Sequence, residues 1–421
     1  MSQTGDAPAS EAAPEPSAEA PSGLYVHLPF CVSICPYCDF VVYAGADARG
    51  SRNRIEVLVD ALIVEIGLRA RATNPAGATA AGTPLRTVYL GGGTPSLVPV
   101  AALRRILDAI RENFGIAPGA EITLEANPGP DERGDPVAQA EAGITRISFG
   151  AQSFVPSELK RLGRRHSPAD VGVALIAARE AGIRSINLDL LYDVPGQTLG
   201  SWADGLERAL ALAPEHLSLY ALTLDDPDAE GLTGPGGDHL PPTAGARRWR
   251  ERAQPEQDDD RAAAMYHLAT HRLREAGFLG YELANWAQPG HESRHNTGYW
   301  ERRSIEAVGP GAHGFDGRVR RWNAARLDAY VAALLPAGGG PASLPPGGED
   351  IVDGASAAAE AVILGLRMDR GVPLTMLLEA PFVDAFGWAV ATGLLEETGD
   401  ARVRLTTRGR LLSNELFARL I

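Results

Sequence analysis

Cys31, Cys35 and Cys38 are the chain's only thiols, and they stand at CxxxCxxC spacing inside LYVHLPFCVSICPYCDF, residues 24–40. An odd number confined to one segment has no partner elsewhere. This excludes a disulfide framework and leaves a metal site or reactive thiols. Three thiolates on one loop can wrap a cubic iron-sulfur cluster. A closed cluster or a structural zinc usually has four protein ligands, so three leave one metal position open to a small molecule. The competing reading is a zinc site completed by His27, or cysteines that merely pack.

A second set of candidates falls at the ends of successive β-like runs. GGGTPS, with Gly91, Gly92, Gly93 and Thr94, follows the second run. Glycines there let a ligand approach the backbone and free N–H groups to bond it. The third run ends in Glu125 and Asn127, the fourth in Gln152, and the fifth carries Asp189 among apolar residues. Buried polar groups need partners, so a ligand with an amine, carboxylate or ribose suits them. Any one of them could cap a strand or a neighbouring helix, but four together argue for a site. In barrel-type α/β folds that site is built on the carboxyl ends of the strands.

The elements that must position these residues are short β-rich runs at 24–29, 86–91, 121–126, 145–150, 185–190 and 216–222. They alternate with helical stretches such as 55–69, 103–113, 171–181 and 201–212. That rhythm predicts repeated βα units on a parallel sheet. Six units predict an α/β fold with an open or partial barrel rather than a closed eight-stranded one. Residues 1–22 are Ala, Pro, Ser and Glu with no hydrophobic period, and are expected to be a disordered tail. Residues 23–335 form the main unit, interrupted by a Gly, Pro and Asp stretch at 225–260 that reads as an inserted loop, with Asp258 to Asp260 as a helix start. A Gly/Pro run at 336–349 reads as a linker. Beyond it, 350–421 reads as a small helical, winged-helix-like domain with helices at 357–366 and 382–395 and a hairpin at 403–411.

The 421 residues carry 53 acids against 39 bases, a formal charge of −14. Such a surface does not seek phosphate, so no nucleic-acid partner is expected, and the C-terminal segment is not basic enough to reverse this. Lys160 is the only lysine, which reads as nucleotide bias in the genome. No apolar stretch approaches the ~20 residues of a membrane helix, and the acidic N-terminus is no signal peptide, so a cytoplasmic protein is expected.

Taken together, YVHLPFC, CPYCDF, GGGTPS, EANP, GAQSF and NLDLLYDVPGQT resemble the radical S-adenosylmethionine (SAM) superfamily. Within it they resemble the family of oxygen-independent coproporphyrinogen dehydrogenase and its HemW haem-chaperone relatives, from about Leu24 to the C-terminus. The resemblance implies a partial (β/α)6 barrel and a [4Fe-4S] cluster on Cys31, Cys35 and Cys38. It also implies SAM bound through its amino and carboxyl groups at the open iron, with contacts from Tyr25, Tyr37, Gly92, Gly93, Thr94, Glu125, Gln152, Arg164 and Asp189. Arg165 is the competing match to Arg164. Asp193 replaces the glycine that family members commonly place before the turn, which leaves the turn's conformation open.

The dehydrogenase branch has a fourth cysteine two positions after the third, where this chain has Phe40. Downstream, PGHESRHNTGYW at 289–300 holds His295, Asn296 and Tyr299 in an HNxxY arrangement that resembles the haem-binding motif of the HemW branch. The resemblance implies His295 on haem iron, with Asn296 and Tyr299 orienting the ring or bonding a propionate. In isolation His295 reads as a histidine satisfied by the fold. His291, Glu292 and His295 also spell HExxH, but that motif needs a helix, and Pro289, Gly290 and Gly298 argue against one. His267 and His271, four apart, read as surface histidines. The implied function is a haem chaperone that transfers haem to haem-requiring proteins, membrane-bound respiratory enzymes among them. A homodimer and peripheral contact with the membrane are implied too. The alternative is SAM-dependent oxidative decarboxylation of coproporphyrinogen III to protoporphyrinogen IX, against which Phe40 weighs.

Overall fold

Alternation of apolar and polar residues organises this sheet. In the computed structural model, which describes residues 19–73, 83–224 and 227–421, the six runs are parallel strands. They are β1 (Gly23–Leu28), β2 (Leu85–Gly92), β3 (Ile116–Ala126), β4 (Arg146–Gln152), β5 (Ser185–Tyr192) and β6 (His216–Ala221), paired in chain order. Between them run α1 (Ile55–Thr73), α2 (Val100–Asn113), α3 (Pro136–Ala142), α4 (Pro156–Arg161), α5 (Pro168–Glu180) and α6 (Leu199–Ala211). Local signals start several of them. Asp135 with Pro136 opens α3, and capping boxes of Ser167 with Asp170 and Thr198 with Ser201 open α5 and α6.

One face of each strand packs outward against these helices. Val26, Leu90, Leu124, Phe149, Leu188 and Leu219 share a single core with Leu62 of α1, Ile106 of α2 and Leu206 of α6. Fully burying each such side chain contributes about 1.5–3 kcal/mol. The other face is polar in every strand. Register sets Tyr25, Tyr89, Thr123 and Arg146 side by side across β1 to β4, and Asp189 beside Ser218 across β5 and β6. Closed barrels fill this space with branched apolar side chains. Here the interior is built from hydroxyl, carboxyl, amide and imidazole groups.

After β6 come α7 (Ala244–Ala253), α8 (Asp259–Glu275), the short strands β7 (Leu279–Gly280) and β8 (Asn285–Ala287), and α9 (Arg294–Trp300). Then follow β9 (Ile305–Val308), β10 (His313–Phe315), β11 (Val319–Asn323), α10 (Leu327–Leu334) and β12 (Gly347–Ile351). They extend the sheet to twelve strands in the order β12-β11-β10-β9-β1-β2-β3-β4-β5-β6-β8-β7, with β9 a seventh parallel strand beside β1. The architecture is a partial barrel with an antiparallel extension at each edge.

Three expectations change. The 225–260 stretch is helical in its second half, because Thr243 caps α7 and Asp258 caps α8, accepting from the Arg261 N–H at 2.9 Å. The 336–349 run ends as sheet, since Gly347 opens β12 against β11. The wing lies earlier than 403–411: Leu395–Glu397 pairs with Arg402–Leu405, while Thr406 caps a short helix at Thr407–Leu411. With α11 (Gly354–Arg367) and α12 (Val383–Ala391), the wing encloses a second core around Val362, Leu395 and Val403. Most of the expected N-terminal tail lies outside the described residues. Ser22, at its end, is tied to the Ser304 carbonyl at 2.8 Å. Among the described residues no helix is long and apolar enough to cross a membrane.

Candidate functional site

The cysteine loop leaves β1 at the carboxyl end of the parallel strands, and all three cysteines are half-buried residues. Two of them join one chain of hydrogen bonds. Thr94 Oγ1 donates to Cys31 Sγ at 3.4 Å, Asn127 Nδ2 donates to Thr94 Oγ1 at 3.1 Å, and Arg164 donates to Asn127 Oδ1. The same guanidinium reaches Cys35 Sγ at 3.6 Å and the Gly150 carbonyl at 2.7 Å. From α7, Arg250 fastens the loop's backbone, donating to the carbonyls of Pro36, Tyr37 and Cys38 at 3.3, 3.4 and 3.0 Å. The inserted stretch therefore supplies a clamp for the thiols. Arg164, rather than the exposed Arg165, faces them.

The donor set suits an iron-sulfur cluster. Burial pushes the Cys31 thiol up to about 11, and burial together with the Cys35 and Cys31 thiols raises that of Cys38. A bound cation would favour the thiolate form of Cys31 and Cys38, which burial disfavours. Among the described residues no three His, Cys, Asp or Glu side chains are grouped as ligands of one metal ion; in a cubic cluster each thiolate binds its own iron. His27 does not turn toward the thiols. Its Nδ1 meets the Tyr25 hydroxyl at 2.9 Å and its Nε2 the Val41 carbonyl at 2.8 Å, which removes the zinc alternative that used it.

Next to the loop, Glu125 accepts from the Tyr89 hydroxyl at 2.8 Å and the Gly92 N–H at 2.9 Å. Asp189 accepts from Ser148 at 3.0 Å and Asn187 at 2.7 Å. Burial raises both carboxyls, Glu125 to about 7. The glycines act differently from the expectation. The N–H groups of Gly92, Gly93 and Thr94 are engaged by Glu125, Leu28 and Phe30, so none is free for a ligand. Gly93 is required by close approach, since a Cβ there would meet the Phe30 backbone at 2.8 Å. Gly92 adopts φ +113°. Gln152 ends β4 at φ 63°, a conformation unusual for a residue with a side chain and typical of functional sites. Tyr37 packs in a small cluster with Leu162, Leu191 and Val194, its ring 6.5 Å from that of Trp249.

Asp193 answers the open question of the turn after β5. It adopts φ 57° in place of glycine. Its carboxylate holds Arg261 of α8, with Nε at 2.9 Å, and accepts the Asp258 N–H at 3.3 Å. The charge pair offsets the strained backbone. Asp193→Ala keeps the strain and loses the pair, so it is expected to destabilise by about 2–3 kcal/mol. Asp193→Gly relieves about 1–2 kcal/mol of that strain and should fall between Ala and the native chain. Denaturant unfolding checks the order, and equal losses for both variants would show that backbone strain is absent.

At the opposite, amino end of the strands, α9 places His295 inside the barrel, 1% exposed. Its Nδ1 meets Thr87 Oγ1 at 2.9 Å and its Nε2 the Tyr299 hydroxyl at 3.0 Å, while its ring lies 5.2 Å from that of Tyr89. Burial lowers it to about 3, so it is a neutral imidazole. Asn296 is partly exposed, and its backbone N–H caps onto Ser293. Because Ser293 caps α9, His291 lies before the helix and cannot share a face with His295. The HExxH spelling therefore makes no protease site. His267 and His271 lie on α8.

A radical SAM superfamily profile matches residues 25–209, from β1 through α6. Proteins named heme chaperone HemW from Mycobacterium tuberculosis and Escherichia coli are 37% and 36% identical over 401 and 305 residues, covering 95% and 72% of this chain and 95% and 73% of theirs. The chain belongs to the HemW family. Another HemW, from Bacillus subtilis, is 31% identical over 93% of this chain and 97% of its own. The solved structure of E. coli coproporphyrinogen III oxidase (HemN), a radical SAM enzyme, superposes with a TM-score of 0.77 at 21% identity, over 96% of this chain and 90% of that one. That likeness establishes the shared fold. Radical SAM membership implies a [4Fe-4S] cluster and SAM, and the carboxyl-end residues described above fit both.

Four polar residues of this HemW-family barrel, Tyr89, Arg146, Asn187 and His216, are not singled out by strand-end reasoning. Their signal is the polar beat at every second strand position, which marks an interior that is not a hydrophobic core.

Proposed function

We propose that this chain binds haem at His295 and delivers it to haem-requiring proteins, respiratory enzymes at the membrane among them. The carboxyl-end site would hold the cluster on Cys31, Cys35 and Cys38 and SAM against Tyr25, Tyr37, Gly92, Gly93, Thr94, Glu125, Gln152, Arg164 and Asp189. Residues 23–335 would act as the barrel unit and 350–421 as an appended domain. When bound, the cluster supplies an open iron for SAM's amino and carboxyl groups.

The observation that carries the haem assignment is the setting of His295. With the proton on Nδ1, Thr87 accepts and orients the ring, while Nε2 presents its lone pair to the Tyr299 hydroxyl. Metal-ligating histidines have this arrangement, with one nitrogen fixed by the protein and the other aimed at the metal. Tyr299 is 37% exposed, so it forms the side that can open. Swinging it away gives up one hydrogen bond, about 1 kcal/mol, in return for an iron bond. Phe40, 64% exposed, offers no fourth thiol. The test mixes haem-loaded protein with an apo haem acceptor. Transfer faster than from free haem is expected. Protoporphyrinogen formed at catalytic turnover from coproporphyrinogen, SAM and a reductant would replace this reading with the enzymatic one.

The Glu125 carboxyl adds a pH dependence. Its folded value of about 7 exceeds the ordinary 4.5, chiefly through burial and against the bonds from Tyr89 and Gly92. Its contribution to stability is therefore present below the ordinary value and lost as pH rises through about 7. SAM's amino group, neutral when held on the open iron, would donate an N–H to this carboxyl and favour its ionised form, so binding releases the proton. SAM affinity should rise with pH up to about 7 and then level off. Glu125→Gln should flatten the profile and weaken SAM on the order of tenfold. SAM titrations of anaerobically reconstituted protein across that range check this, and an unchanged profile in the variant would remove Glu125 from the SAM site.

A further inference from the structure

Among the described residues, the barrel interior contains a guanidinium that makes no ion pair and has an unbonded nitrogen. Arg146 opens β4 on the polar face and is 3% exposed, yet its buried Nε has no hydrogen bond. Among the described residues it makes no ion pair. Its charge is felt by Tyr89, Glu125, Asp189, His216 and Tyr281, which places it in the middle of the interior. Neither nearby carboxylate forms an ion pair with it, although both feel its charge. Glu125 is committed to Tyr89 and Gly92, and Asp189 to Ser148 and Asn187. Thr123, in register with Arg146 on β3, has a buried hydroxyl that is also unpartnered. Unsatisfied buried polar atoms are rare in native structures, and the Arg146 Nε and the Thr123 hydroxyl are two of them. Two adjacent orphans on one polar wall mark the place of a ligand.

We propose that Arg146 anchors a carboxylate of a ligand bound inside the barrel. A guanidinium presents two parallel N–H donors that match a carboxylate's two oxygens, and burial strengthens the pair. The adjacent Thr123 hydroxyl can donate a further bond to the same group. Two sources carry this chemistry: a propionate of haem, which rests on the haem reading above, and the carboxyl of SAM. Arg146 acts on Tyr89, whose hydroxyl donates to Glu125 at the carboxyl end and whose ring lies 5.2 Å from that of His295 at the amino end.

The experiment uses the full chain, reconstituted anaerobically, with Arg146→Met and Arg146→Lys. Each protein is titrated with haem, with haem dimethyl ester, whose propionates are blocked, and with SAM. The native chain is expected to prefer haem over its ester at least ~10-fold, and Arg146→Met to erase that preference. Arg146→Lys keeps the charge but loses the fork, so it should fall between. Loss of SAM affinity with the haem preference intact assigns the carboxylate to SAM instead. If the native chain binds no haem, the haem reading fails and the SAM arm alone decides the proposal. Ligand-free stability supplies an independent readout, because Met removes an unpaired buried charge and should leave the melting temperature unchanged or higher. A lower melting temperature with haem preference and SAM affinity at native values would make Arg146 a structural counter-charge and overturn the proposal.

Discussion

Serine in place of Cys31, Cys35 or Cys38 is expected to leave anaerobically reconstituted protein almost without bound iron and sulfide, where the native chain retains about four of each. The effect is large because the chain holds no spare thiol. Every cysteine lies in this loop, and Phe40 cannot substitute. The fold should survive. The loop is fastened through backbone carbonyls by Arg250, and its cysteines are half-buried residues replaced by a side chain of similar size, so the substitutions remove little packing. Metal and sulfide analysis, with circular dichroism as the control, checks this. Zinc without iron in the native preparation would replace the cluster with a structural metal site.

His295→Ala is expected to weaken haem binding on the order of 100-fold and to remove the spectrum of an imidazole-ligated haem. Two companions separate ligation from support. Thr87→Val leaves the ligand but frees the ring, and should cost ~10-fold or more. Tyr299→Phe removes the competitor for Nε2 and should bind haem as tightly as the native chain or tighter. Burial keeps His295 neutral down to about pH 3, so native haem affinity should not fall between neutrality and pH 5 through this residue. The same shift has a stability consequence. The folded value is depressed below the ordinary 6.5, so its contribution is present above 6.5 and lost as pH falls toward 3. His295→Ala also empties buried space and strands Thr87, a loss of about 2–3 kcal/mol that unfolding experiments must separate from ligation. Unchanged haem affinity and spectrum in a folded His295→Ala protein would make His295 a histidine satisfied by the fold.

Much of the barrel is legible in the sequence because its signals are local. A strand's period of two and a helix's caps depend on neighbours within a few residues, and all six runs, with the Asp258 helix start, follow from them. Where the local signal is diluted, it misleads. Gly, Pro and Asp conceal α7 within 225–260, and β9, only four residues long, is below the length at which alternation is visible. The wing is displaced because Arg402–Leu405 pairs backward with Leu395–Glu397 rather than forward.

By itself the sequence determined the thiol spacing, the number of βα units and the strand ends where polar side chains gather. Each of these is a property of contiguous residues. Only the tertiary structure decided which polar groups are already satisfied. It engages the N–H groups of Gly92, Gly93 and Thr94, fills both nitrogens of His27 and His295, pairs Asp193 with Arg261, and leaves the Arg146 Nε without a hydrogen bond among the described residues. The reason is that hydrogen-bond satisfaction depends on residues brought together across the barrel. His295 and Thr87 are 208 positions apart, and Arg164 and Cys35 are 129 apart.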